Sequence, residues 1–412
     1  MEGRCVKVLL VGYNGANNTG SEARLLEIIK DVQEIMGQDV HITVPTLNEV
    51  NLRRYLEEKP GLSIEPVSPI YFFDLRRLVK ENDLIMLVEG SCYMDTWTSV
   101  LLWAFLSASK YAHSYGKPSM AYAVDAGELS KGNEKRVKRD ASKTSMIITR
   151  TNAAAQRLRD WGVTAPIEAT ADTAFSFLVD ETPKDYIPSI WPEGETGAVG
   201  MSVVNFYLWP VVLRPYGRRR LCYRWPYYYS YSRKRQESTE ALAKGFAKEA
   251  DRIVERYDKS IALIAMEALD EPLALDVHRK MKNPKRARVF SSNGYDSSEM
   301  TFLLRNLDML ITSRYHASVL SLASGVPQIA VGHDLRLWDL FGDLGIREKR
   351  FIGKDSPNLW QWVSENVDHL ISDPEEDVRV LLSGNREHLE RARKNKELLR
   401  EFAMKHGMAV KS

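Results

Sequence analysis

Short apolar runs alternate with longer segments whose apolar residues recur every three or four positions along most of this chain. The first pattern predicts buried parallel strands, and the second predicts amphipathic helices packed against them. The predicted strands are residues 6–11, 40–44, 84–88, 120–124, 146–148, 198–204, 260–266, 288–290, 309–311 and 328–331. This alternation indicates an α/β protein with doubly wound sheets.

The strands and helices fall into two series. Between them lie residues 183–195, which contain three prolines and several acidic residues, a composition typical of a linker. A chain of 412 residues is also long for a single hydrophobic core. We therefore predict one domain over residues 1–185 and a second over 186–373. A charged helix over residues 374–412 is predicted to pack back across both.

Polar residues follow several predicted strands, at the sheet edge where parallel α/β proteins bind ligands. Asn18 lies in a glycine-rich loop after the first strand, and Glu89 ends the strand at 84–88, with Asp95 shortly after. Asp125 ends the strand at 120–124, and Asp172 follows the last strand–helix unit of the first series. We expect these side chains to lie near one another.

The stretch 308–332 has the pattern of a βαβ unit. An apolar strand is followed by the polar residues Ser313, Arg314, Tyr315 and His316, and then by a helix that ends at Gly325. Arg314 and His316 should therefore lie at a strand end beside a helix N-terminus, where an anion is favoured. The alternative is that an Arg-x-His pair at a helix start is only a capping and surface feature.

Residues 206–231 interrupt the alternation with ten aromatic residues and five arginines. We predict an irregular loop that lines the cleft, since arginines bind phosphates and carboxylates and sugars stack on aromatic faces. Two alternatives stay open for this segment. It could bind single-stranded nucleic acid, or its aromatics could simply pack on the core beneath the arginine stems.

Composition narrows the classes of function. Lys+Arg 57 against Asp+Glu 55 gives a net charge of +2, which offers no overall argument for nucleic-acid or membrane binding. Three widely spaced cysteines, Cys5, Cys92 and Cys222, predict neither a disulfide framework nor a zinc site. We expect a cytoplasmic protein without a metal, a secretory signal or a membrane span.

These motifs together resemble the polysaccharide pyruvyl transferase family. The similarity covers most of residues 6–345 and is most specific in its last motif. The shared features are the loop with Asn18, Gly20, Glu22 and Ala23, then Glu89-Gly90 before Asp95, Gly116-Lys117-Pro118, Arg150, residues 171–175, Arg314-Tyr315-His316 and Gly325-Val326-Pro327.

The resemblance implies a glycosyltransferase-B-like fold, in which two Rossmann-type domains face each other across a cleft. It also implies transfer of a pyruvate group from phosphoenolpyruvate to hydroxyls of a sugar or lipid-linked glycan acceptor, as a ketal and without a cofactor. His316 would be the general acid/base, because an imidazole has a pKa of about 6.5. Arg314 and Tyr315 would bind the donor.

Other roles follow from the same resemblance. Val204 stands where relatives often carry an arginine, so Arg214 or Arg218, within the run 218–220, is expected to supply that charge to the donor. The acceptor side is expected to hold Asn18, Glu89, Asp95, Asp125 and Asp172.

Two further functions stay open. A nucleotide-sugar glycosyltransferase of the same architecture would use Glu267 or Asp270 to bind the ribose. A non-catalytic protein would bind glycan or RNA through residues 206–231, although the near-neutral net charge argues against RNA, and we expect no nucleic-acid partner. A homo-oligomer is compatible with the sequence.

Overall fold

A computed structural model of the protein describes residues 5–37, 39–179, 183, 185–332 and 334–411. The strands in the first half are β1 Lys7–Val11, β2 His41–Thr46, β3 Leu62–Pro66, β4 Leu84–Leu87, β5 Ser119–Val124, β6 Met146–Thr149 and β7 Ile167–Ala169. The helices are α1 Thr19–Met36, α2 Glu49–Leu52, α3 Phe72–Glu81, α4 Ser99–Ser114, α5 Lys131–Ala141 and α6 Asn152–Asp160, with a 3-10 turn at Thr173–Ser176. These strands form one parallel sheet in the order β3-β2-β1-β4-β5-β6-β7.

The second half contains the strands β8 Ala198–Ser202, β9 Val212–Leu213, β10 Cys222–Arg224, β11 Tyr227–Tyr228, β12 Ser260–Ala265, β13 Ala287–Ser291, β14 Met309–Thr312, β15 Gln328–Gly332 and β16 Phe351–Gly353. The helices are α7 Tyr186–Ile190, α8 Arg233–Tyr257, α9 Glu271–Lys280, α10 Ser297–Arg305, α11 Tyr315–Ser321, α12 Leu335–Asp343, α13 Arg347–Arg350, α14 Leu359–Ser372 and α15 Glu375–Lys405. Short 3-10 turns lie at Pro192–Gly194, Arg219–Leu221, Pro284–Arg286 and Leu322–Ser324. A second parallel sheet has the order β13-β12-β8-β14-β15-β16.

The predicted α/β class is confirmed by these two parallel sheets. Their central strands are buried along most or all of their length, as β4, β5 and β14 illustrate. Buried hydrophobic clusters lie on the faces of each sheet, which explains why the strands read as continuous apolar runs. A capping box starts α10, with the side chains of Asp296 and Glu299 each accepting from the other's backbone N–H.

One local prediction was wrong. Residues 206–231 are not an irregular loop, because β9, β10 and β11 form a small antiparallel sheet in the order β10-β11-β9. The predicted linker over residues 183–195 lies between the two sheets and contains α7 and a 3-10 turn. Ile187 and Trp191 from this segment are buried in the hydrophobic core, and their burial stabilises the folded conformation of the segment.

The last helix, α15, connects the two halves. Leu381 and Ala392 join the core cluster that includes the second sheet, while Leu399 and Phe402 pack into the core of the first. The buried Asn395 donates to the carbonyl of Ala171 at 2.9 Å. The chain therefore crosses between the sheets twice, and the domain limits 1–185, 186–373 and 374–412 stay predictions.

We expect Asn395→Ala to lower the free energy of unfolding by about 1–3 kcal/mol, because Thr170 and Ala171 lose a buried hydrogen-bond partner. Urea denaturation followed by circular dichroism measures the change. Lys394→Ala, at the exposed neighbouring position, is the control and should be nearly neutral. Equal effects of the two substitutions would show that α15 is not held by this contact.

Candidate active site

His316 lies where the two sheets face each other. It follows β14, a central strand of the second sheet, and belongs to the first turn of α11. Its imidazole packs against Gly20 in the first turn of α1, so closely that a Cβ atom at position 20 would lie 1.9 Å from Nδ1. The glycine in the first loop is therefore required by a close approach across the cleft.

Asp172, from the first half of the chain, is the carboxylate nearest to His316. Its Oδ2 lies 3.5 Å from Nε2 of His316, which is long for a hydrogen bond. The same oxygen accepts hydrogen bonds from Arg24 at 2.7 Å and from Arg150 at 2.6 Å. Asp172 is fully buried, and so are both arginines.

The backbone is shaped around these two arginines. Arg24 donates to the carbonyl of Ala123 at 2.9 Å, and Ala123 has a φ of 52°, an unusual value for a residue other than glycine. The register between β5 and β6 shifts at this position, so the carbonyl turns towards Arg24. Gly90 lies against Arg150, where a Cβ would be 2.7 Å from Nη1. The first sheet thus supplies a rigid frame for Asp172.

These contacts set the protonation states. Burial works against ionisation of Asp172, but the guanidinium groups of Arg24 and Arg150 hold its pKa well below the usual range. Burial lowers the pKa of His316, and Asp172 acts in the opposite direction. The pair therefore consists of an ionised carboxylate beside an imidazole that is neutral at pH 7.

Arg314, the N-cap residue of α11, is held by two buried carboxylates. Its Nε donates to Asp270 at 2.8 Å, and its Nη2 lies 3.1 Å from Oε2 of Glu267. Burial raises the pKa of Glu267, and Arg314 opposes this shift. Asn18 also donates to Glu267, at 3.1 Å. Within the described residues, these contacts leave Nη1 of Arg314 without a hydrogen-bond partner.

Arg336 is a second cation at the cleft. Its Nε donates to both carboxylate oxygens of Asp334, at 2.8 and 2.9 Å, and its guanidinium lies 5.3 Å from the ring centre of Trp97. Burial opposes ionisation of Asp334, but Arg336 lowers its pKa to about 2. Arg336 also reaches Ser91 of the first half at 3.4 Å.

A cavity between the two sheets brings these groups together. Glu89, Arg314, His316 and Arg336 are among its polar lining residues. Its aromatic and apolar lining comes from both halves of the chain and includes Tyr13, Tyr71, Trp97, Trp209, Val211, Tyr227 and Met266. The small antiparallel sheet closes one side, because Val211 donates its N–H to the carbonyl of Trp97 at 2.9 Å and Trp209 packs edge-on against the same ring.

Comparison with protein families identifies the chain. The family model for polysaccharide pyruvyl transferases matches residues 16–334, most of the sequence. The protein belongs to the polysaccharide pyruvyl transferase family. No curated protein matches the sequence.

Solved structures similar to this pyruvyl transferase family member define its fold. One is S. aureus MnaA with UDP, with a TM-score of 0.64, 11% identity, and coverage of 98% of this chain and 97% of that one. A second is a UDP-N-acetylglucosamine 2-epimerase from Listeria monocytogenes, described as putative, with a TM-score of 0.64, 12% identity and coverage of 99% and 98%. A third is Anabaena Alr3699/HepE with UDP-glucose, with a TM-score of 0.60, 11% identity and coverage of 97% and 99%. The predicted glycosyltransferase-B-like fold is confirmed.

The residues predicted at the site are only partly brought together in this family member. Tyr315 joins His316 and Arg314 at the cavity, and its ring lies 4.2 Å beneath the guanidinium of Arg150. Asn18 and Glu89 also line the cavity.

Three predicted acceptor-side carboxylates are placed differently. Asp172 is buried beneath the cavity, so it faces His316 and two arginines instead of an acceptor. Asp125 borders a smaller recess beside the cavity and accepts a hydrogen bond from Nε of Arg150 at 2.9 Å. Asp95 caps α5, because it accepts from the N–H of Ser130 at 3.0 Å and from Asn133 at 2.7 Å. These contacts do not support acceptor binding by the three residues.

Arg214 and Arg218 are exposed and do not line the cavity. The sequence interpretation placed them at the donor to replace the arginine that relatives often carry at the position of Val204, but the small antiparallel sheet directs this part of the chain outwards. Val204 lines the same small recess as Arg336. Arg336 is therefore better placed than Arg214 or Arg218 to supply the charge expected near Val204.

Sequence reasoning missed Arg336, Arg24 and Trp97, whereas Trp209 belongs to the segment 206–231 that was predicted to line the cleft. Arg336 had a detectable signal, because it follows the end of β15 as Arg314 follows the end of β14. Arg24 had none, since a charged residue within an amphipathic helix pattern is usually on the exposed face.

Two findings bear on ligands and membranes. Among the described residues, no group of three or more His, Cys, Asp or Glu side chains could hold a metal ion. In the same part of the chain, no helix has the length and apolar character needed to cross a membrane.

Gly20→Ala should destabilise the protein by about 1–3 kcal/mol, because the new methyl group collides with the His316 ring. Gly132→Ala is the matched control, since Gly132 is also the second residue of a helix and has open space around it. That control should stabilise the protein by about 0.5–1 kcal/mol through helix propensity. Urea denaturation measures both, and a stabilising Gly20→Ala would contradict the close approach.

The lowered pKa of His316 predicts a pH dependence of stability. Protonation is disfavoured in the folded state, so His316 lowers the stability of wild type as pH falls below about 6.5, the pKa of an unperturbed histidine. Relative to His316→Gln, wild type should lose up to about 1.4 kcal/mol per pH unit in that range. Denaturation of both proteins between mildly alkaline and mildly acidic pH measures the difference. A difference that does not change with pH would mean that the imidazole titrates normally.

Proposed function

We propose that this protein transfers the pyruvate group of phosphoenolpyruvate to two hydroxyls of a sugar or lipid-linked glycan, forming a ketal and releasing phosphate. The observation that carries the proposal is the pairing of His316 with the ionised Asp172 at a cavity that also contains Arg314 and Arg336. Membership of the pyruvyl transferase family supports it.

The reaction needs proton transfers and an anion site. A proton added to the methylene carbon of phosphoenolpyruvate makes C2 an oxocarbenium ion, which the first acceptor hydroxyl attacks while losing its own proton. Phosphate then leaves with the C–O electron pair, and the second hydroxyl attacks C2 and loses its proton. One phosphate is released for each ketal, with no oxidation or reduction.

His316 is suited to these proton transfers. The Asp172 carboxylate beside Nε2 favours the tautomer with its proton on Nε2, which makes Nδ1, the nitrogen on the side of Gly20, the basic nitrogen of the ring. The imidazole is neutral in the resting site, so it begins as a base. An anionic donor bound nearby would raise its pKa and favour the protonated form that the first step requires. Asp172 is a positioning residue in this scheme.

Arg314 and Arg336 would bind the donor. Asp270 and Glu267 fix the guanidinium of Arg314. Its remaining nitrogen, Nη1, is therefore held in one orientation from which it would donate to a bound anion. Arg336 is fixed in the same way by Asp334. Fixed cations of this kind bind a carboxylate or phosphate without first losing side-chain entropy.

The nucleotide-sugar alternative is less well supported. It relied on Glu267 or Asp270 binding a ribose, but both are buried and make ion pairs with Arg314. The likeness to nucleotide-sugar enzymes such as MnaA concerns the fold, and it makes UDP-sugars the natural competing ligands in a test.

His316 and Arg314 should fail differently when substituted. His316→Ala should still bind phosphoenolpyruvate but lose about 10²- to 10⁴-fold in turnover, as expected for a lost general acid/base. Arg314→Lys should weaken binding of phosphoenolpyruvate by roughly 10-fold or more, since a point charge cannot replace a charge-assisted fork. Calorimetric titration with phosphoenolpyruvate, and phosphate release with a panel of glycan acceptors, measure the two effects.

Arg214→Lys is the matched control, because it makes the same exchange at an exposed arginine outside the cavity and should leave donor binding unchanged. Melting temperatures identify any variant that fails to fold. The proposal is wrong if wild type binds UDP-sugars but not phosphoenolpyruvate, an outcome that would favour the glycosyltransferase alternative. If His316→Ala kept full turnover, only the role assigned to His316 would be wrong.

A further inference from the structure

One segment of this protein carries a large excess of positive charge. Residues 196–236 contain no Asp or Glu, and they contain eight basic residues in a protein whose net charge is +2. The rest of the chain is therefore net acidic. The basic residues are Arg214, Arg218, Arg219, Arg220, Arg224, Arg233, Lys234 and Arg235. A local concentration of this kind attracts anionic partners even when the overall charge does not.

Part of this segment forms an exposed surface with apolar as well as basic side chains. Arg214, Arg218 and Arg219 are exposed, and none makes an ion pair with a carboxylate of the described residues. Tyr216 is 83% exposed and Trp225 is 56% exposed. We call these five residues, together with the exposed Leu213, the basic–aromatic surface.

Further apolar residues lie next to it in space. The Tyr227 hydroxyl donates to the carbonyl of Pro69 at 3.3 Å, and Tyr227 pairs with Leu213 in the small antiparallel sheet. Ile70 and Phe73 follow Pro69 closely in the chain, and Phe73 is 81% exposed. The exposed apolar side chains thus continue from the basic–aromatic surface onto the first half of the molecule.

We propose that the basic–aromatic surface binds an anionic phospholipid bilayer. Arginines at such a surface attract acidic headgroups, and tryptophan and tyrosine favour the interface between headgroups and acyl chains. Single-stranded nucleic acid fits less well, because Leu213, like Ile70 beside the surface, has no aromatic face on which a base could stack. The attachment is peripheral, and it does not depend on the reaction proposed above.

Sedimentation of the full chain with vesicles tests the inference. Vesicles of phosphatidylglycerol and phosphatidylcholine should bind wild type in a salt-sensitive manner, and pure phosphatidylcholine vesicles should bind it much less. The triple variant Arg214→Gln, Arg218→Gln, Arg219→Gln should bind the acidic vesicles on the order of 10²-fold more weakly. A charge-matched control, Lys131→Gln, Lys135→Gln, Lys394→Gln, removes three exposed cations elsewhere and should change binding little.

A second pair of variants tests the apolar contribution. Tyr216→Ser with Trp225→Ser should weaken binding to acidic vesicles while keeping the dependence on salt. Leu275→Ser with Met404→Ser removes two exposed apolar residues elsewhere and should have no such effect. Melting temperatures verify folding, and the salt titration of wild type gives an independent answer if a variant is unstable.

Three results would overturn the inference. Wild type that binds neither kind of vesicle at low salt has no membrane surface. Equal losses in the two triple variants would mean that total charge matters and this surface does not. Binding of a single-stranded oligouridylate that requires Arg214, Arg218 and Arg219, without vesicle binding, would identify a nucleic-acid surface instead.

Discussion

A single carboxylate, that of Asp172, holds the candidate site of this protein together. Two fully buried arginines, Arg24 and Arg150, donate to this carboxylate. Without it Arg24 would be a buried charge with no carboxylate partner, and Arg150 would keep only Asp125, at a high cost in stability. Its position is fixed by those arginines and by a hydrogen bond from the N–H of Ala174 at 2.9 Å. The Oδ2 atom of Asp172 accepts hydrogen bonds from both arginines and also faces His316. The residues that position Asp172 in the first half of the chain therefore also act on the histidine that follows β14 of the second sheet.

A second buried ion cluster holds the opposite side of the cavity. Arg314 lies between Glu267 and Asp270, and Asn18 of the first loop donates to Glu267. Around this contact the backbones of the two halves also bond, since Thr19 donates its N–H to the carbonyl of Met266 at 2.9 Å. The cleft is therefore closed at its base by polar contacts. The positions of His316 and Arg314 relative to the first half of the chain therefore depend on these contacts between the two halves.

The segment from residue 206 to 231 serves the molecule in two ways at once. Its Trp209 and Tyr227 line the cavity, while Arg214, Tyr216 and Trp225 face outwards. Apart from Tyr227, these residues lie in the connections before and between the short strands, so the segment presents side chains both to the cavity and to solvent. One wall of the cavity and the surface proposed to bind a bilayer thus belong to the same segment of the chain.

The sequence alone determined the α/β class, the strand ends that carry Arg314 and His316, and the likeness to pyruvyl transferases. Periodicity and turn residues are local, and the Arg-Tyr-His motif lies within four residues of its strand. Tertiary structure alone decided that Asp172 faces His316, that Asp95 caps a helix, and that Arg336 reaches the cavity while Arg214 does not. The partner of a buried charge comes from a distant segment of the chain, as Asp172 does for Arg24. No local sequence pattern specifies which carboxylate pairs with which cation.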